Sequence, residues 1–565
     1  QELDMITKGL KFTGLFSFKN YSSSSTERSA SYNHYYMSSY DPSSMEYKIT
    51  RIGDEQSTAL TNDGSRNGDR KMYFQAILDY NRIFKEVHDL NIMFLYNQEQ
   101  YDINGPTTLF SSLPQRKQGV AGRVSYSYDG RYYIEGNFGY NGSENFAKGH
   151  RFGFFPSIAV GYNISNEKFW QPIKPVISNL KIRGSWGLVG NDATNAGRFA
   201  YMEDLVLGGS DSYTTGIRQD TYYSGPSWNR YFNPDLTWEV GEKINLGLDL
   251  QLFNDFNLTF DIFREKRRDI FMTRENSIPE IVGTGETKIT SNNGEMENKG
   301  LDLAIDYNKQ ITKDFFLSFK STLTFARNKV LKMDEPPYFE YPGLSDVGHP
   351  LGTYWGYVAD GLFPDQETID NSPRQDLGYT PQPGDIKYVN QPNAKGEYDN
   401  VINSNDRVAI GHPYDPELVY GFGPSMKWKN WDFSFFFQGV ARPSFMMYGM
   451  HPFGTTSIKN MLQFVADDHW SVDNPNPNAA YPRLTKDSNG NNDQYSTYWL
   501  RNAAFLKLKN AEIGYTYKGM RFYLSGVNLL TFSPFKHWDP EMGGGNGLYY
   551  PTQRVFNIGF QMTIQ

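Results

Sequence analysis

The stretch Ile244-Asn-Leu-Gly-Leu-Asp-Leu-Gln-Leu-Phe-Asn-Asp-Phe-Asn-Leu-Thr-Phe-Asp-Ile262 decides how the rest of the chain is read. Ile244, Leu246, Leu248, Leu250 and Leu252 alternate with Asn245, Gly247, Asp249 and Gln251. After a turn at Asn254-Asp255, Phe256, Leu258, Phe260 and Ile262 alternate with Asn257, Thr259 and Asp261. Successive side chains of a β-strand point to opposite faces, so period two puts all the apolar groups on one face of a hairpin and the polar ones on the other.

The pattern recurs. Phe315, Leu317, Phe319, Leu323 and Phe325 are set against Ser318, Lys320, Thr322 and Thr324. It returns at Trp431, Phe433, Phe435 and Phe437, and again at Phe556, Ile558, Phe560, Met562 and Ile564. Counting such segments gives roughly 16 or 17 strands, with no helix-period segment of comparable quality.

What joins the strands separates a membrane barrel from a soluble sandwich. Asp129-Gly130 and Lys518-Gly519 are tight turns, whereas the connections near 190–235, 330–415 and 443–500 run for tens of residues rich in Gly, Pro, Asn, Asp and aromatics. Short turns on one rim and long loops on the other are the pattern of outer-membrane barrels. Composition agrees. The 565 residues hold 40 Phe, 40 Tyr and 10 Trp, yet only 38% are hydrophobic and no run of about 18 apolar residues could span a bilayer as a helix. In a barrel only alternate residues need face lipid. Trp186, Trp238, Trp428 and Trp431 stand near strand ends, where an aromatic girdle would meet the lipid interface. So many strands enclose a lumen wider than side chains can fill. The pattern is already under way within about ten residues of Gln1, which suggests an incomplete wall with a plug and N-terminal domains upstream.

Other function classes lose support. The chain has no cysteine, and its 63 acids and 55 bases are interspersed, which gives a nucleic-acid partner no electrostatic footing. No His-Glu-x-x-His, Gly-x-Ser-x-Gly, phosphate-binding loop or dinucleotide fingerprint occurs, so no enzyme activity is expected. Asp467-Asp468-His469-Trp470 reads as a hydrogen-bonded turn, and Gly543-Gly-Gly-Asn-Gly547 as a flexible loop. Aromatics placed among Asn, Asp and Gly are the candidate substrate platforms: Trp228, Tyr354, Trp355, Tyr357, Trp470 and Trp499. Flat rings beside amides suit sugar rings or peptide side chains, and the competing role for each is to staple a loop together.

Several phrases carry a family resemblance in the expected order. They are Arg123-Val-Ser-Tyr-Ser-Tyr-Asp-Gly-Arg-Tyr-Tyr133, Phe154-Phe-Pro-Ser-Ile-Ala-Val-Gly-Tyr162, Asn179-Leu-Lys-Ile-Arg-Gly-Ser-Trp-Gly187, Asn233-Pro-Asp-Leu-Thr-Trp-Glu239 and Glu297-Asn-Lys-Gly-Leu-Asp302. Further on come Pro383-Gly-Asp-Ile-Lys-Tyr388, Asp406-Arg407 with Ile410-Gly411, Tyr498-Trp-Leu-Arg-Asn-Ala-Ala-Phe-Leu-Lys-Leu-Lys-Asn510, Gly526-Val-Asn-Leu-Leu530 and Asp539-Pro-Glu541. Over essentially its whole length the chain resembles the SusC-like family of TonB-dependent outer-membrane transporters of Bacteroidetes. The resemblance implies an all-β, antiparallel transmembrane barrel of about 22 strands, of which residues 1–565 supply the C-terminal 16 or 17. It implies active import of an oligomeric nutrient, an oligosaccharide (glycan) ahead of an oligopeptide, with a passive porin or structural barrel as the rival. It also implies a SusD-like surface lipoprotein, TonB–ExbB–ExbD contacted through a region outside this chain, and the lipid bilayer as partners.

Two departures stand out. Family members often carry a calcium-loop-like stretch between the Pro-Gly-Asp and Asp-Arg phrases, but here the regular spacing of oxygen ligands is lost. No cofactor is otherwise expected; Asp399, Asn403, Asn405 and Asp406 are the residues that could hold Ca2+. The chain also closes on Ile564-Gln565 rather than on an aromatic.

Overall fold

The computed structural model describes residues 2–57, 59–193, 197–208, 212–274, 276–282, 289–449, 462–485 and 488–562, so Ile564 and Gln565 lie outside it. Sixteen strands form one sheet: β1 Leu10–Ser29, β2 Thr61–Phe84, β3 His88–Asn104, β4 Gln115–Tyr128, β5 Tyr132–Ser143, β6 Phe152–Asn163, β7 Ile177–Asn191 and β8 Glu239–Leu252, then β9 Phe256–Arg274, β10 Ile289–Thr312, β11 Phe315–Lys332, β12 Leu418–Trp428, β13 Trp431–Ala441, β14 Phe505–Tyr517, β15 Met520–Phe532 and β16 Val555–Met562. Each pairs antiparallel with its sequence neighbour. The strand count expected from alternation is therefore met by a single meander, the connection that needs no crossover.

The register keeps the two faces apart. Leu246 lies opposite Ile262, which lies opposite Leu301, which lies opposite Phe325, so apolar side chains form continuous rows around the outside. Leu246 and Ile262 are about half exposed because nothing but lipid is available to cover them. On the other face Arg183 of β7 donates to Asp249 of β8 at 3.3 Å and to Asp261 of β9 at 2.6 Å. Charge on the lumen side is thus paired across three strands.

Turn chemistry sets the periplasmic rim. Asp129 and Gly130 have φ of 52° and 60°, the left-handed pair of a tight hairpin whose twist matches its strands. Phe253 and Asn254 (54° and 61°) do the same between β8 and β9. Just above this rim the outward face is aromatic. The rings of Tyr132 and Tyr162 stack 5.1 Å apart, and the Tyr132 hydroxyl donates to Glu167 Oε1 at 2.6 Å while Arg131 reaches Oε2 at 2.9 Å. Trp428 and Trp431 face each other in register on the same rim further round. Trp186 pairs with Ile244 toward the opposite rim and donates its indole N–H to Glu242 at 2.8 Å. Trp238, grouped with these three on sequence, is placed differently. It is buried with Phe146, Ala200, Leu236 and Phe271 in a small core at the base of the 192–238 connection, so it meets protein rather than lipid.

The other rim carries the long connections. A hairpin of His34–Asp41 and Glu46–Ile52 crowns β1 and β2. The described parts of the connections 333–417, 442–504 and 533–554 fold together into a second hydrophobic core, built on Leu362, Ile386, Tyr388, Ile402, Phe445, Met446, Val465, Tyr481 and Phe535. Loops this long cost little extra closure entropy, and here they bury enough apolar surface to behave as a domain above the wall.

Candidate functional site

The loop domain is held by two charged anchors. Asp385 is fully buried, and its two oxygens accept from Arg483 Nε (2.7 Å), a second Arg483 nitrogen (3.3 Å), Asn489 Nδ2 (2.9 Å), Asn492 Nδ2 (2.9 Å) and the Gln382 amide (2.8 Å). A buried carboxylate so surrounded is compensated, and it ties the first long loop to the second. Beside it Gly384 adopts φ +88°, and a Cβ there would lie 2.3 Å from the indole of Trp470, so only glycine fits. The second anchor is Lys507 of β14, whose buried ammonium contacts Asp539 at 2.6 Å and Glu541 at 2.5 Å and fixes the third loop to the wall. The Pro-Gly-Asp and Asp-Pro-Glu phrases are these anchors.

Between the three loops lies an aromatic cleft of about 310 Å³, lined by Tyr354, Tyr414, Met446, Tyr448, Tyr495, Met542, Gly543, Gly544 and Tyr549. Short ladders place its walls. Tyr354 starts a strand paired with Val408–Ile410, and Met446 ends one paired with Leu500–Asn502. Backbone bonds from Gly545 N–H to Met446 (2.9 Å) and from Tyr448 N–H to Gly545 (3.1 Å) press the glycine segment against the second loop. A Cβ on Gly544 would come within 2.4 Å of the Met446 carbonyl oxygen, which explains the glycine. The Gly543–Gly547 stretch expected as a flexible loop is therefore one wall of a cleft. Among the described residues no charged side chain lines it. Burial pushes the Tyr354 phenol up to about 12, and a hydrogen bond with Tyr549 raises that of Tyr448, so the rings offer O–H groups at neutral pH.

Of the six aromatics nominated on sequence, Tyr354 lines this cleft. Tyr357, Trp470 and Trp499 are core residues; Trp499 donates to the Asn492 carbonyl at 2.7 Å, and all three staple the loops together. Trp355 is half-buried and donates to Asp346 at 2.6 Å, and Trp228 stacks on Tyr231 in the separate 192–238 connection. Tyr414, Tyr448, Tyr495 and Tyr549 were not nominated, because their convergence depends on pairing between loops far apart in sequence.

The four residues considered for calcium form a capped turn. Asp406 is buried and accepts the Gln391 and Asn403 amides at 2.7 Å each, Asn403 caps Asn405 at 2.8 Å, and Asp399 accepts the Val401 amide at 3.0 Å. Among the described residues no group of three His, Asp or Glu converges as a metal site. His469 turns its Nδ1 to the carbonyls of Val465 and Ala466, and the Asp468 carboxylate accepts the Ala480 amide, so this segment ends a short helix.

The family model described as TonB dependent receptor-like, beta-barrel, matches residues 4–529. The chain belongs to that family. TonB-dependent receptor SusC of Bacteroides thetaiotaomicron is 29% identical over 468 residues, covering 78% of this chain and 43% of the relative. TonB-dependent receptor P3 of Formosa agariphila is 27% identical over 478 residues, covering 78% of this chain and 45% of the relative. The chain thus spans less than half the length of these relatives. Among solved structures, the RagAB peptide importer in its open-open state superposes with a TM-score of 0.74 at 19% identity, covering 99% of this chain and 59% of that one. The fold is that of a SusC-like TonB-dependent receptor barrel in the outer membrane, a family of receptors rather than enzymes.

Proposed function

We propose that this chain is the barrel wall and extracellular loop domain of an active importer of an oligomeric nutrient, and that the cargo is an oligosaccharide. The carrying observation is the five-tyrosine cleft, whose described lining residues include no charged side chain. Pyranose rings stack on aromatic faces, and their hydroxyls exchange hydrogen bonds with phenols and glycine backbone, without asking for an ionic partner. Import on this reading needs partners beyond residues 1–565: a plug and N-terminal region, TonB–ExbB–ExbD acting through it, and a SusD-like lipoprotein over the mouth.

A second reading, oligopeptide import, is favoured by another cleft of about 740 Å³ in the first long loop, where Asp370, Arg374 and Asp376 surround Tyr379 and Phe363. Charges of both signs suit peptide termini, and RagAB is described as a peptide importer. The deciding experiment exposes the full-length receptor with its lipoprotein to glycan and peptide pools and identifies what co-purifies. Glycans retained by the native receptor and lost from a Tyr448→Ala, Tyr549→Ala variant support the first reading; peptides alone overturn it.

A further inference from the structure

On the outward face the apolar rows stop abruptly in one sector. Ile262, Leu301 and Phe325 are in register across β9, β10 and β11, and one pleat step toward the long-loop rim the next row reads Arg264, Lys299, Arg327. The same row continues into Ile244 and Trp186, the indole expected at a lipid interface. Three cations directly opposite one another on adjacent strands repel, an arrangement that costs stability unless an anion sits between them.

Among the described residues the carboxylates that answer this row are shared between cations. Glu297 is shared by Arg264 at 2.6 Å and Lys299 at 2.7 Å, while Arg327 reaches Glu417 at 3.1 Å, whose second oxygen is taken by Arg442 at 2.5 Å. The following row reads Glu242, Lys266, Glu297, Lys329, with Lys266 also paired to Glu295 at 2.9 Å and Glu242 accepting the Trp186 indole N–H, so cations still outnumber carboxylates across the two rows. The row's side chains remain 52%, 60% and 58% exposed. Strand spacing near 4.8 Å sets the three heads over about 10 Å, the span of one phosphorylated headgroup, and guanidinium forks bind phosphate in two-point contacts.

We propose that Arg264, Lys299 and Arg327, flanked by Lys266 and Lys329, hold a phosphate group of an outer-leaflet lipid against the barrel wall. The height suits it: the row lies one step above the last apolar side chains, at headgroup depth, on the rim from which the long loops emerge. The site is on the opposite face of the wall from the lumen and is independent of the cargo proposed above.

The test uses full-length receptor extracted from its own membrane and washed in detergent, with bound lipid phosphorus measured and the lipid identified by native mass spectrometry. Arg264→Gln, Lys299→Gln and Arg327→Gln together are expected to lower retained phosphorylated lipid roughly tenfold or more, whereas Arg264→Lys with Arg327→Lys retains it. Lys309→Gln, at the periplasmic rim, leaves retention unchanged, and folding of each variant is checked by its heat-dependent gel mobility. Equal retention by the triple variant overturns the proposal. Complete displacement of the lipid by millimolar inorganic phosphate also overturns it, since the site would then serve free anions.

Discussion

Arg483 and Asp385 are ninety-eight positions apart in sequence and joined by two hydrogen bonds, with a carboxylate that solvent does not reach. Replacing Asp385 with Ala leaves the half-buried guanidinium of Arg483 and the amides of Asn489 and Asn492 without their acceptor. Removing one partner of such a pair costs about 3–5 kcal/mol. The expected result is proteolytic nicking of the 333–417 and 442–504 loops while the barrel itself stays resistant. Unchanged protease resistance of the loops would refute the anchor role.

Trp499 and Tyr354 make opposite predictions although both were nominated as platforms. Trp499→Ala removes a buried ring and should destabilise the loop domain by about 3–5 kcal/mol. Tyr354→Phe keeps the ring and should leave loop stability unchanged. Hydrogen exchange of the loop amides separates the two, and equal protection in both variants contradicts the assignment of Trp499 to the core.

Within the cleft, an aromatic contact is worth about 0.5–1.5 kcal/mol beyond area burial, so Tyr448→Ala and Tyr549→Ala should each weaken cargo binding by at least about 2- to 12-fold. Tyr448→Phe should lose less, keeping the stack and dropping one hydroxyl. Calorimetry on the full receptor complex reads this directly. Affinity unaffected by either alanine would remove the cleft from the cargo path.

His537 packs its ring 4.0 Å from Phe464 and near Phe535, and burial, with Arg501 nearby, pulls its pKa below 6.5. A lowered folded value means that the unfolded loop takes up the proton first. The stabilising contribution is therefore complete above pH 6.5 and is lost as pH falls through the folded value. Mild acid should loosen the contact between the second and third loops, seen as faster exchange around 462–468, and His537→Gln should flatten that pH dependence. A pH profile identical in wild type and variant would rule this out.

The wall was legible in the sequence because a barrel strand writes its surroundings into every second residue: Ile244 to Ile262 alone states the turn, the lipid face and the lumen face. The loop domain was not legible in the same way. Its core residues, such as Ile386, Phe445 and Tyr481, come from three segments with no period, and nothing local distinguishes Trp499, which is buried, from Tyr354, which lines a cleft. Trp238 misled for a related reason: its place beside a strand start suggested a girdle, while Phe146 and Phe271, distant in sequence, enclose it. The Pro383-Gly-Asp385 and Asp539-Pro-Glu541 phrases were readable as signatures, and their meaning as anchors emerged only from their partners Arg483 and Lys507.

The strands differ greatly in length. β2 and β10 run for 24 residues, whereas β12 and β13 have 11 each. At about 3.3 Å per residue the tall strands carry their backbone ladder far beyond any bilayer, and the short ones barely clear it. The parapet is stiff where it is high, since bending it would break many ladder bonds at once. On the low side the mouth is bounded by loops bolted through a handful of side chains. Any dilation of the entrance would accordingly be lopsided, with the low side swinging and the high side standing still.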